Sequence, residues 1–188
     1  MSVGSGTVKA VAMLSGGLDS MLAVLLMREL GVELIACNVS TPFCSCDSGQ
    51  DGGPRARVVR LTRTCEIPLV RVVADPSYVE MVKRPEHGYG RGLNPCHDCR
   101  VYTLLRGRRV MEERGARFLV TGEVLGQRPM SRRLLQLHQI EAEAGLHGLV
   151  LRPLSARLLP PTIPEREGWV DRERLLDISG RSRDRQLE

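Results

Sequence analysis

The stretch Ser15-Gly16-Gly17-Leu18-Asp19-Ser20 constrains the fold of this chain more than any other. One apolar run, Val8 to Leu14, leads into it, and a second, Met21 to Met27, leads out. The order is strand, glycine-bearing turn, helix. Adjacent glycines let the backbone take positive φ and come close to a ligand. The first N–H groups of the helix lack partners within it. With the hydroxyls of Ser15 and Ser20 they form a grip for an anion such as a phosphate. The plainer alternative is a Gly-Gly turn with Asp19 as helix cap. Turn, setting and serine pair together favour the anion grip.

The motif is not a Walker loop, which needs Lys-Ser/Thr after its last glycine, because no lysine stands here. A carboxylate beside phosphates needs a cation between them, so Asp19 implies Mg²⁺.

Apolar periodicity extends the pattern. It predicts strands over 8–14, 33–39, 69–73, 118–121 and 148–152. Helices are expected over 18–30, 55–65, 78–83 and 96–114, with a further one capped by Ser131. Val101, Leu104, Leu105 and Met111 should face inward on the 96–114 helix, and Leu134, Leu137, Ile140 and Ala144 on the next. Pro153, Pro160, Pro161 and Pro164 predict a surface wrap without regular structure. Strands alternating with helices make βαβ units. The fold class expected is α/β, a doubly wound, mostly parallel five-stranded sheet. Ligands of such sheets sit beyond the carboxyl ends of the strands. That rule gathers the loops 15–20, 40–54, 85–96 and 122–131 along one edge.

A length of 188 residues suits one domain with a real core. No apolar run approaches the roughly 18–20 residues of a membrane span. The Ser/Gly-rich start, 1–7, lacks the basic and apolar regions of a signal peptide, so a cytoplasmic protein with a flexible N-terminus is expected. Residues 1–99 hold 10 basic and 10 acidic residues, whereas 100–188 hold 17 and 12, so the whole +5 excess lies in the second half. All but Lys9 and Lys83 of the 27 basic residues are arginine, which suits bidentate phosphate contacts. A basic half is compatible with a nucleic-acid partner without requiring one.

Six cysteines are present: Cys37, Cys44, Cys46, Cys65, Cys96 and Cys99. Cys44 and Cys46 form Cys-x-Cys, Cys96 and Cys99 form Cys-x-x-Cys, and both pairs fall in the gathered loops. Their thiolates are a ligand set for Zn²⁺ or an iron–sulfur cluster. Sulfur chemistry at the start of the 96–114 helix, where a thiol pKa falls, is a second reading, and inert thiols a third. Cys37, in a strand, and Cys65, near a helix end, read as core residues.

The Ser15–Ser20 stretch resembles the PP-loop of the ATP pyrophosphatase superfamily, whose members break ATP between the α and β phosphates. Asn94-Pro95-Cys96-His97-Asp98-Cys99 is similar to the Asn-Pro-x-x-x-Cys motif of tRNA 2-thiouridylases, with Cys99 at the catalytic position. Thr121-Gly122-Glu123-Val124-Leu125-Gly126-Gln127 with Ser131 resembles the Thr-Gly-Glu-Ser-x-Gly-Gln…Ser loop of tRNA 4-thiouridine synthetases.

The resemblance implies an adenine nucleotide alpha hydrolase-like, HUP-type Rossmann-like fold and an ATP-dependent sulfurtransferase that adenylates a nucleobase carbonyl, uridine in tRNA. ATP would be held by Ser15, Gly16, Gly17, Leu18, Asp19, Ser20, Gly122 and Gln127. Cys99, Cys96 and Asp19 would be catalytic, and Cys96, Cys99, Cys44 and Cys46 the metal ligands. No cysteine follows Cys99, so the disulfide-forming partner of the persulfide route is missing. A 4Fe-4S cluster is therefore favoured over persulfide chemistry, and over Zn²⁺. Expected partners are tRNA and a sulfur-donor protein or sulfide; a homodimer stays open and no membrane is expected. The domain division expected is a catalytic unit over 8–152, with 153–188 as wrap and tail of the same domain. The alternative function is an amidating or ligase-type PP-loop enzyme acting on a small molecule.

Tyr89 and Arg91, with His87, could stack on a base, and Arg128 and Ser131 could meet phosphate. Arg132 and Arg133 read as a solvated helix face, and His138 and His147 as surface residues. His97 and Asp98 offer proton transfer, although solvation at the helix start explains Asp98 equally well. Arg181 and Arg183 belong to a basic tail without an assigned purpose.

Overall fold

Five parallel strands in the order β3-β2-β1-β4-β5 form the central sheet. They are β1 (Lys9–Met13), β2 (Glu33–Ser40), β3 (Leu69–Val73), β4 (Phe118–Thr121) and β5 (Val150–Leu151). The helices are α1 (Leu18–Glu29), α2 (Pro54–Thr64), α3 (Pro76–Lys83), α4 (Cys96–Glu113), α5 (Leu134–Glu143), α6 (Ile163–Arg166) and α7 (Asp184–Leu187). The computed structural model describes residues 7–42, 53–90, 93–127 and 134–187. The doubly wound α/β architecture expected from the alternation is the one observed.

Side chains alternate across each strand, so the sheet has two cores. Ala10, Ala12, Leu34 and Ala36 join Ala23, Val24 and Met27 of α1 and Val58 of α2 on one face. Val11, Met13, Ile35 and Cys37 join Leu104, Val110 and Met111 of α4 and Ile140 of α5 on the other. Both faces are covered, which is why the strands read as continuous apolar runs. β1 pairs with both β2 and β4. The winding direction reverses there, and a crevice opens beyond the carboxyl end of β1.

Three expectations are corrected. Leu105 is 41% exposed and Leu134 43%, so neither faces inward; Tyr102, Leu104, Val110 and Met111 are the buried side chains of α4. The segment after Pro153 is not a surface wrap. Leu154, Ala156, Val170, Leu175 and Ile178 are buried in the first core, and α6 carries a Thr162–Glu165 capping box. The prolines fix turns between these short buried pieces instead of keeping the chain outside. Among the described residues, no helix is long and apolar enough to cross a membrane.

Candidate active site

Residues 14–17 turn the chain from β1 into α1, with Gly17 as N-cap and no side chain capping the helix. The amide groups of its first turn are thus left to a ligand. Asp19 is not the cap. Gln127 Nε2 donates to its Oδ2 at 3.0 Å and Gln186 Nε2 to its Oδ1 at 3.3 Å. Ser15 and Ser20 place their hydroxyl oxygens 3.1 Å apart, and Ser20 donates to the Gly17 carbonyl at 2.9 Å.

The two glycines do different jobs. Gly16 has φ +79°, and a Cβ there would lie 2.2 Å from the Pro54 carbonyl oxygen, so this glycine admits the start of α2. Arg57 of α2 donates to the Gly16 carbonyl at 2.8 Å, fixing the turn. A Cβ on Gly17 would meet only Ser15 Oγ, at 3.5 Å, which leaves that face open. Gly122 closes the floor: a Cβ there would lie 2.4 Å from the Ser20 nitrogen, so the loop after β4 touches the backbone of α1.

The resulting cleft, of about 600 Å³, is lined by Ser15, Gly17, Leu18, Asp19, Ser20 and Gly122. Arg100, Thr103, Glu123, Arg183 and Cys37 share the wall. The structure therefore brings Ser15, Gly17, Leu18, Asp19, Ser20 and Gly122 of the expected nucleotide set into one cleft, with Gln127 behind Asp19, whereas Gly16 faces the start of α2 instead. Arg57, Arg100, Glu123, Arg183 and Gln186 are additional. Glu123 was visible only as a motif letter; buried, it accepts from Thr121 Oγ1 at 3.2 Å and Arg152 Nε at 3.0 Å. Arg100 Nε lies 2.8 Å from its other oxygen, and Arg152 also pairs with buried Glu141.

Arg183 and Gln186 reach the cleft because the C-terminal segment returns to it. Gly180 N donates to the Leu125 carbonyl at 2.8 Å, and Ser155 Oγ bridges Leu125 N and the Ile178 carbonyl at 2.9 and 2.6 Å. The basic excess of residues 100–188 was the one sequence signal for Arg183; nothing marked Gln186.

Cys96 and Cys99 occupy the first turn of α4, both half-buried free thiols. Arg100 and Thr103, next along the same helix, enter the cleft wall, which sets the cysteine turn at its rim. Tyr78 of α3 places its hydroxyl 3.3 Å from Cys99 Sγ, and Thr103 Oγ1 donates to the Cys99 carbonyl at 2.7 Å. Burial, then the Cys99 thiol, pushes the Tyr78 phenol up to about 12, so it stays protonated and can donate to a thiolate. Cys37 is fully buried in β2, and burial pushes its thiol up to about 12, in keeping with a core role. Cys65 is buried too, with Arg28 Nη1 3.8 Å from its sulfur.

The remaining expectations divide. Cys44, Cys46, Arg91, Arg128 and Ser131, with Arg132 and Arg133, lie outside the described residues. Tyr89 donates its hydroxyl to the Val82 and Lys83 carbonyls at 2.7 and 2.9 Å, at the end of α3. Asp98 is not a solvated helix-start residue. It is 8% exposed and accepts from the Glu86 and His87 amides at 3.1 and 3.4 Å and from His87 Nδ1 at 3.2 Å. A separate cleft of about 650 Å³ between α5 and 159–166 carries no cysteine and no part of the Ser15–Ser20 turn.

A profile of the family described as Thiamine biosynthesis protein (ThiI) matches residues 5–157. No curated protein matches the sequence significantly. Among solved structures, a 4-thiouridine synthetase–RNA complex with bound ATP is similar at 25% identity and a TM-score of 0.60, covering 79% of this chain and 37% of that one. The chain thus spans little more than a third of the length of that protein. A U34-tRNA thiolase, NcsA from Methanococcus maripaludis with its 4Fe-4S cluster, matches at 21% identity and a TM-score of 0.42, covering 73% and 43%. With the profile spanning most of its length, the chain belongs to the ThiI family, within the PP-loop ATP pyrophosphatase superfamily.

Proposed function

We propose that this protein is an ATP-dependent sulfurtransferase that adenylates a uridine carbonyl in tRNA and replaces the oxygen with sulfur. The observation that carries the reading is the shared cleft. Its floor is the Gly17–Ser20 helix start with Gly122 pressed against it, and its wall takes in Arg100 and Thr103 of α4, each one turn after Cys96 and Cys99 on the same helix face. The first half is suited to a nucleoside triphosphate. Amides of α1 face the phosphates, Arg100 and Arg183 supply positive charge, and Asp19 is set by Gln127 and Gln186 to hold Mg²⁺.

The chemistry follows from that placement. The carbonyl oxygen attacks the α-phosphorus, pyrophosphate leaves, and the base carries an O-adenylate. Charge developing on the leaving pyrophosphate meets the arginines and the helix start. A sulfur nucleophile then adds at the same carbon, and AMP departs with the former carbonyl oxygen. Cys99 is the residue placed to present that sulfur, and the Tyr78 hydroxyl steadies a thiolate there.

The donor set also fits an iron–sulfur group. Cys96 and Cys99 are free and accessible on one turn, whereas Cys37 and Cys65 are buried elsewhere, so Cys44 or Cys46 would complete the ligands. Such a group, when bound, would supply a site for sulfide. The decisive test is mass spectrometry of tRNA nucleosides from cells lacking this gene. Loss of one thiolated uridine supports the proposal; an unchanged nucleoside profile contradicts it and favours adenylation of a small molecule.

A further inference from the structure

We propose that His87, His97 and Glu143 form a binding site for a divalent transition metal of the zinc class, with Asp98 as the orienting carboxylate behind His87. Three segments converge there: the loop between α3 and α4, the first turn of α4, and the last residue of α5. His87 Nε2 lies 3.2 Å from Glu143 Oε1, and His97 Nε2 lies 3.0 Å from Glu143 Oε2. The two imidazoles stack with centroids 3.8 Å apart and planes 24° from parallel, so both point the same edge at one carboxylate. The three donor atoms lie within 4.8 Å of one another. Around a tetrahedral ion with bonds of about 2.0–2.1 Å, neighbouring donors are roughly 3.3–3.4 Å apart. Small shifts of the side chains, two of them exposed, reach that spacing.

The second observation is independent of the first. His87 Nδ1 is 3.2 Å from Asp98 Oδ1, and Asp98 is itself buried and held by two loop amides. A metal-bound histidine characteristically donates its other N–H to a carboxylate, which fixes the ring and its tautomer. With the proton on Nδ1, Nε2 keeps its lone pair on the side of Glu143, 3.2 Å from Oε1, where a cation shared with the carboxylate would sit. One divalent cation serves all three donors, and it is balanced by the charges of Asp98 and Glu143. Two histidines and one carboxylate, with coordination positions left for water, suit a borderline divalent ion.

The bound ion would clasp His87, in the segment after α3, and α5 to the start of α4, the turn that carries Cys96 and Cys99. The site uses nitrogen and oxygen donors only, so it is separate from any thiolate-held group and does not depend on the sulfurtransferase reading.

The test is titration of the chelator-stripped full chain with Co²⁺ followed by optical absorption, and with Zn²⁺ by calorimetry. The expected result is one ion per chain held by nitrogen and oxygen donors, seen as ligand-field bands without a sulfur-to-cobalt charge-transfer band once Cys96 and Cys99 are replaced. Binding should persist in the Cys96→Ser/Cys99→Ser double variant. It should weaken about 10–100-fold in Asp98→Asn, the usual effect of removing an orienting partner, and further in His97→Ala. Glu143→Gln keeps the side-chain shape, so it gives the same answer if His97→Ala does not fold. No ion bound in the cysteine double variant would overturn the proposal. Neither result bears on tRNA thiolation, which is read separately.

Discussion

The floor of the cleft and its cysteine rim are built from different materials. At the floor, the ligand-facing groups are backbone amides of α1, a turn shaped by Gly16 and Gly17, and one carboxylate held by two glutamines. At the rim they are side chains: two free thiols, the Tyr78 phenol and, further out, the histidine pair. Backbone groups are positioned by the fold itself. Side chains at the rim depend on contacts between α3, α4 and α5, so each can be removed without collapsing the floor. On the proposed function, the comparison implies that adenylation and sulfur delivery are separable by mutation.

The largest expected effect tests that separation directly. Cys99→Ser should abolish the thiolated product while pyrophosphate still forms with tRNA and AMP stays on the base as the O-adenylate, measured by nucleoside mass spectrometry alongside nucleotide chromatography. Loss of both together would mean that the two ends are one machine. At the base of the floor, Arg152→Met leaves Glu123 and Glu141 buried without their shared partner. Breaking a buried ion pair costs about 3–5 kcal/mol, so urea unfolding should shift by that amount. A shift below 1 kcal/mol (one pair of surface charges) would contradict the burial of this network.

Gly122→Ala sharpens the contrast by disturbing the floor alone. The new Cβ would sit 2.4 Å from the Ser20 nitrogen, and the contact is with backbone, which cannot swing away. Overpacking of this kind costs roughly 1–3 kcal/mol, so calorimetry should find ATP bound about tenfold more weakly or worse. Gln186→Ala asks less: losing one hydrogen bond to Asp19 is worth about 1 kcal/mol, a several-fold rise in ATP Kd with little change in folding. Wild-type affinity in that variant would detach the C-terminal segment from the site.

A last prediction concerns pH and leaves both ends of the cleft untouched. Burial raises the Cys37 thiol from 9.0 to about 12, so the folded state holds its proton more tightly than the unfolded one. That stabilisation is fully present below the unfolded value and is lost as pH rises towards the folded one. Chemical unfolding from pH 9 to 12 should show the wild type losing more stability than Cys37→Ala. Equal losses would mean that Cys37 meets water in solution.

The floor was legible in the sequence because its determinants are local. A glycine pair, a flanking strand and a following apolar helix sit within about twenty residues, and each has a backbone reason to be there. The strands were legible for the same reason, since both sheet faces are covered and each strand is an apolar run. Gln186, Arg183 and the Glu123–Arg152–Glu141 network were not. They act across separations from about ten to more than a hundred residues, where no local period marks them. The prolines after Pro153 misled because proline reports local backbone geometry, not burial; Leu175 and Ile178 lie beyond them in the core. Asp98 looked like a helix-start residue until the 85–87 loop folded over it.

One measurement addresses the central claim, that the cleft cuts ATP between its α and β phosphates for use on RNA. The full chain is incubated with ATP, Mg²⁺, tRNA and sulfide, and the nucleotide products are separated. The account predicts AMP and pyrophosphate in equal amounts, dependent on tRNA and lost in Asp19→Ala. Formation of ADP and phosphate, or turnover indifferent to tRNA, would contradict it.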